Sequence, residues 1–161
     1  MSSPARILVV DDDASIRKVV SIILGSAGYL VDTAQNGVEA IEKSNVEFYN
    51  LALIDVRLPD VEGTKLLSLI QDATPRMIKI IMTGYPALEN AVEAISRGVD
   101  GFLTKPVNKE TLLMAVHEHL MKQQKENEFT AERVEAYVST RLKEARANRR
   151  EFLGETSAPH A

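Results

Sequence analysis

Five short apolar, β-branched runs recur along the chain: RILVV (6–10), YLVDTA (29–34), LALIDV (51–56), IKIIMTG (78–84) and GFLTK (101–105). A segment with helical spacing separates each run from the next. This alternation restricts the fold severely. Strands joined through helices run parallel, and their crossovers are right-handed. Four of the runs, YLVDTA excepted, are almost continuously apolar, which is expected of strands covered on both faces. YLVDTA alternates and is expected at an edge. The expected fold class is therefore α/β, a doubly wound five-stranded parallel sheet.

The helical segments carry their own signals. In ASIRKVVSIILGSAG (14–28), Ile16, Val19, Val20, Ile23 and Leu24 fall at i, i+3, i+4, i+7 and i+8. Gly25 and Gly28 supply stops. GVEAIEKS (37–44) predicts a shorter helix, and GTKLLSLIQDA (63–73) one that ends before Pro75. ALENAVEAISRG (87–98) runs from Pro86 to Gly98. VNKETLLMAVHEHLMK (107–122) places Leu112, Leu113, Val116 and Leu120 on one face. One domain is thus expected over 1–122, with an appended helical tail over 123–161.

Within the tail, QQKENEF (123–129) is polar and leaves open whether the preceding helix continues. TAERVEAYVSTRLKEARANRREFL (130–153) is rich in helix formers and lacks Gly and Pro. Val134, Tyr137, Val138, Leu142 and Ala145 form an apolar stripe that suits packing on the domain, on a second copy as a homodimer, or on another protein. RLKEARANRR (141–150) has five basic residues against one acid and reads as a solvated helix face. GETSAPHA is expected to fray.

Composition narrows the class. The 161 residues are 45% hydrophobic, enough for a sizeable core, and include no cysteine. A disulfide framework and a thiolate metal site are excluded. A net charge of −4 gives no general nucleic-acid affinity. The N-terminus lacks a signal-peptide pattern, and VVSIILG (19–25) is far too short to span a bilayer. A soluble, cytoplasmic protein without membrane contact is expected.

Ligands of such sheets bind at the carboxyl ends of the strands. The first run ends in Asp11, Asp12 and Asp13, the third reaches Asp55, the fourth ends at Thr83-Gly84 and the fifth at Lys105-Pro106. The second ends in Gln35-Asn36-Gly37, a plain turn. A like-charged pair about 4 Å apart costs roughly 4 kcal/mol at an effective dielectric near 20, so the acids need an offset. An all-oxygen cluster favours Mg²⁺, with Mn²⁺ also suited. Asp13, directly before Ala14-Ser15-Ile16, reads instead as a helix N-cap. The set suits phosphoryl transfer. Asp55 can act as nucleophile, Lys105 and a metal can neutralise phosphoryl charge, and Thr83 can donate a hydrogen bond.

The ordered series VVDDD, LIDVRLPDVEG (53–63), IIMTGY (80–85) and GFLTKP (101–106) resembles the receiver domain of two-component response regulators, over roughly residues 5–122. The resemblance implies a flavodoxin-like receiver fold that accepts a phosphoryl group on Asp55 from a sensor histidine kinase or phosphotransfer protein. It implies Mg²⁺ ligation by Asp11, Asp12, Asp55 and the backbone carbonyl of Arg57. Thr83 would bind the phosphoryl oxygen and Lys105 pair with it, while Pro59 and Gly63 match the turn after the acceptor. The switch would move Thr83 and turn Phe102 inward. As Phe rather than Tyr, that side chain is expected to favour the inward position. The surface of residues 86–122, formed by the fourth helical segment, the fifth strand and the fifth helical segment, would then signal to a downstream protein. Arg57 and Tyr85 match positions that tune phosphoryl lifetime, and two bulky residues there imply slow hydrolysis. On this reading the chain has no separate substrate and is not an enzyme proper.

Two alternatives compete. A pseudo-receiver would keep the fold without being phosphorylated. A haloacid-dehalogenase-type phosphatase would use Asp11-Asp12-Asp13 as its D-x-D motif. It would also need an acidic pair at a later strand end, which Glu89, Glu93 and Asp100 do not form. His117, His119 and His160 read as surface or packing residues.

Overall fold

The computed structural model describes residues 3–73, 76–84 and 98–154. Its strands are β1 (Arg6–Val10), β2 (Leu30–Ala34), β3 (Leu51–Asp55), β4 (Ile78–Thr83) and β5 (Gly101–Thr104). Its helices are α1 (Ala14–Ser26), α2 (Gly37–Val46), α3 (Gly63–Ala73) and α4 (Lys109–Phe152). The strands form one five-stranded sheet in the order β2-β1-β3-β4-β5, and every pairing is parallel.

Period-two alternation splits the core between the two faces of the sheet. Leu8, Val10, Ala52, Ile54 and Ile81 pack with Leu66, Leu67 and Ile70 of α3. Ile7, Val9, Leu53, Ile80 and Met82 pack with Val20 and Leu24 of α1 and Leu112 and Val116 of α4. The three interior strands are buried except for half-exposed Arg6 at the start of β1, which accounts for their nearly continuous apolar runs, with Lys79 as the charged residue inside β4. β2 lies at an edge, as its alternation predicts.

GFLTK departs from expectation. β5 is the other edge strand, and Leu103 is its one buried residue. With four residues, its apolar pair Phe102-Leu103 is too short to distinguish one covered face from two. α2 runs two residues beyond the GVEAIEKS segment, to Val46. α4 begins at Lys109 rather than 107, because Asn108 caps it, accepting from the N–H groups of Glu110 and Thr111 at 2.8 and 3.3 Å. The helix then continues through the polar QQKENEF segment. Of ALENAVEAISRG, only Gly98 falls among the described residues, as a turn with φ +93°.

Two compact units divide between Met121 and Lys122. The first holds the sheet. In the second, every described residue from Gln124 onward is exposed. Among the described residues, no helix is long and apolar enough to cross a membrane.

Candidate functional site

Parallel strands bring their carboxyl ends to one edge. Asp11 extends β1 by one backbone bond, its N–H donating to Ala34 O at 3.1 Å. Its side chain is fully buried. Oδ1 accepts from the Asp13 N–H at 2.9 Å, and Oδ2 lies 2.8 Å from Lys105 Nζ. Arg17 secures the same corner by donating to Asp11 O at 2.7 Å. Asp55, the last residue of β3, is also buried, and its Oδ2 lies 3.3 Å from Lys105 Nζ. The Arg57 N–H donates to Asp55 Oδ1 at 3.3 Å.

Lys105 therefore bridges two buried carboxylates from two strands. Asp12 is exposed and completes the cluster: Asp11, Asp12 and Asp55 each offer an oxygen within 4.8 Å of the others. Three acids against one ammonium leave the cluster negative. Burial pushes the Asp55 carboxyl above its ordinary value, and the charge of Asp11 raises it further, against the opposing Arg57 N–H and Lys105. Burial works to lower the Lys105 ammonium, but its bonds and attraction to Asp11, then to Asp55, hold it above its ordinary value. An all-carboxylate set facing an exposed edge fits a hard divalent cation.

Thr83 ends β4, buried beside β5. Its carbonyl accepts from the Lys105 N–H at 2.8 Å, which fixes the two strand ends together. The loop after Asp55 is tightly tied. Gly63 N donates to Val56 O at 2.7 Å, and Arg57 bridges Glu62. A Cβ on Gly63 would lie 2.2 Å from Asp55 O, so only glycine fits this close approach. Asp60 reaches from that loop to the N-terminus of α2, accepting from Gly37 N at 2.8 Å and Val38 N at 2.9 Å.

Asp11, Asp12, Asp55 and Lys105 thus meet as their strand-end positions predict. Asp13 caps α1 as expected, accepting from Ser15 N at 2.8 Å and Ile16 N at 3.4 Å. Phe102 does not follow expectation. It is 40% exposed, lying on the opposite face of edge strand β5 from Leu103, which packs in the core with Leu112 and Val116. Tyr85 lies outside the described residues, as do Glu89, Glu93 and His160. His117 is exposed, and His119 packs in the first unit with Nδ1 2.7 Å from Ala115 O.

Sequence reasoning missed three features. Lys105, whose strand-end position suits a phosphoryl group, also holds the two acids together. Asp60 is bonded to Gly37, 23 residues away, and nothing local in the sequence links the two. Gln35-Asn36-Gly37 is more than a turn: Asn36 caps α2, accepting from Glu39 N at 2.8 Å. The Asn36–Glu39 spacing of a capping box carried that signal.

The family model described as response regulator receiver domain matches residues 7–117. The chain is 39% identical over 117 residues to the transcriptional regulatory protein GlrR of Escherichia coli strain K12, covering 73% of this chain and 26% of that protein. It therefore spans about a quarter of that relative's length. Among solved structures, the receiver domain protein (CheY-like) from Methanospirillum hungatei JF-1 shares 45% identity and superposes with a TM-score of 0.75, covering 77% of this chain and 99% of the other. The beryllofluoride-activated NtrC4 receiver domain dimer shares 35% identity with a TM-score of 0.70, covering 73% of this chain and 98% of the other. With the sheet order, the strand-end acids and the bridging lysine in place, the match over most of the chain settles its kinship: the chain belongs to the response regulator receiver domain family.

Proposed function

We propose that this receiver takes a phosphoryl group onto Asp55 from a sensor histidine kinase or phosphotransfer protein in the cytoplasm, and relays the event to a downstream protein. One observation carries the reading: Lys105 Nζ stands 2.8 Å from Asp11 and 3.3 Å from Asp55, with Asp12 in the same cluster. Asp55 is the acid that ends an interior strand, its Oδ1 held by the Arg57 N–H, and a carboxylate in that position can act as the nucleophile. As the Asp55 oxygen–phosphorus bond forms, the bond from phosphorus to the donor histidine nitrogen breaks, and that nitrogen keeps the electron pair. Lys105 then exchanges its contact with Asp55 for one with a phosphoryl oxygen, retaining Asp11 as anchor. Thr83, beside Lys105, donates its hydroxyl to another oxygen.

Asp11, Asp12, Asp55 and the Arg57 carbonyl would hold Mg²⁺, with Mn²⁺ as a substitute. When bound, the ion supplies positive charge that offsets the clustered carboxylates and the incoming phosphoryl oxygens. The protein promotes only its own phosphorylation and dephosphorylation, and bulky Arg57 and Tyr85 slow the latter. The exposed Phe102 is the position from which the aromatic turns inward on activation. Addition of beryllofluoride with Mg²⁺ tests this reading by NMR. Chemical shifts should move at Asp55, Thr83, Phe102 and Lys105 in wild type and stay fixed in Asp55→Asn. No movement in wild type would make the chain a pseudo-receiver.

A further inference from the structure

The second unit holds a pattern that the phosphoacceptor site does not use. On α4 beyond Lys122, the residues along one helix face are Gln124, Asn127, Ala131, Val134, Val138, Leu142, Ala145, Arg149 and Phe152. Their spacings run 3, 4, 3, 4 and then 4, 3, 4, 3. The face is therefore symmetric in position about Val138. Its apolar centre is uncovered: Val134 is 56% exposed, Val138 48% and Leu142 52%.

Charge is segregated about the same residue. Positions 124–137 hold four acids and two bases, while 139–152 hold five bases and two acids. Two such helices laid parallel would set acidic half on acidic half and basic on basic. Laid antiparallel, each acidic half meets a basic half. A stripe symmetric about Val138 superposes on itself in that reversed orientation, so the apolar layers and the charges favour the same register.

We infer that the segment 124–152 is a self-association surface, which pairs with the same segment of a second copy as an antiparallel two-helix interface centred on Val138. The two-fold axis passes between the two Val138 side chains. Val134 packs on Leu142 of the second copy and Ala131 on its Ala145, once on each side of the centre. Glu128, ten residues before Val138, and Arg146, eight after it, lie on one flank and meet across the interface. The antiparallel arrangement is independent of phosphorylation at Asp55, so its test does not depend on the site reading.

The absence of cysteine makes the orientation directly measurable. In the antiparallel pair, Ala131 lies against Ala145 of the other copy and roughly 21 Å along the helix from the other Ala131, at 1.5 Å per residue. That separation is far beyond disulfide reach. Full-length Ala131→Cys and Ala145→Cys, mixed and mildly oxidised, should cross-link to each other, while neither alone cross-links to itself. In sedimentation at low salt, wild type should reach twice the monomer mass. Leu142→Asp should weaken association at least about tenfold, a cost of about 1.4 kcal/mol, with helicity checked by circular dichroism. Glu128→Arg should also weaken association, and adding Arg146→Glu in the same chain should restore it. Wild type that stays monomeric at every concentration would overturn the proposal. So would self-cross-linking of Ala131→Cys at the rate of the mixture, the outcome of a parallel pair.

Discussion

Asp11, Asp12 and Asp13 are adjacent and chemically identical, yet the fold gives them three different surroundings. Asp11 is buried against Lys105, Asp12 faces solvent, and Asp13 accepts from the first turn of α1. Asp13→Ala should therefore cost about 1 kcal/mol of stability in a denaturant titration and leave Mg²⁺ affinity in calorimetry unchanged. Asp12→Ala should do the reverse, abolishing Mg²⁺ binding at nearly constant stability. The Asp13 cap could be read from the sequence because its partners are two and three residues away. The Lys105–Asp11 pair spans 94 residues, and only the strand order brings it together. That is why the sequence supplied the members of the cluster but not the ion pair that organises them.

Strands and helices were readable where pattern length sufficed. The interior strands and α1 carry long, unambiguous periods, whereas the four residues of β5 do not reveal an edge. Asp60 shows what local pattern cannot reach: it fastens the loop after Asp55 to the start of α2. Those two backbone N–H groups hold its carboxyl below the ordinary value. A carboxyl lowered in the folded state contributes stability above its unfolded value, near 3.9, that is lost as pH falls through the folded value. Asp60→Ala should lower the melting temperature at pH 7, and the deficit should shrink on acidification below about pH 4. Lys79 on β4 has the opposite dependence. It is almost fully buried, donates to Met77 O at 3.2 Å, and burial pushes its ammonium down, partly opposed by Asp100. An amine lowered on folding is a penalty that is full below its folded value and fades as pH rises toward 10.5. Thermal melts of Lys79→Met should show a higher melting temperature than wild type at pH 7, with the gain diminishing at high pH.

The receiver as a unit trades stability for function at its acidic edge. Burial and Asp11 disfavour the charged form of Asp55, so Asp55→Asn should raise the melting temperature in metal-free buffer. Saturating Mg²⁺ should narrow that difference, because it stabilises the folded wild type by mass action. The same charge that destabilises the apo domain is the nucleophile of the proposed reaction. Intact-mass measurement after incubation with acetyl phosphate and Mg²⁺ tests that claim most directly. Wild type should gain the mass of one phosphoryl group, and Asp55→Asn should gain none. An unmodified wild type, or equal modification of both proteins, would contradict the assignment of Asp55 as the acceptor.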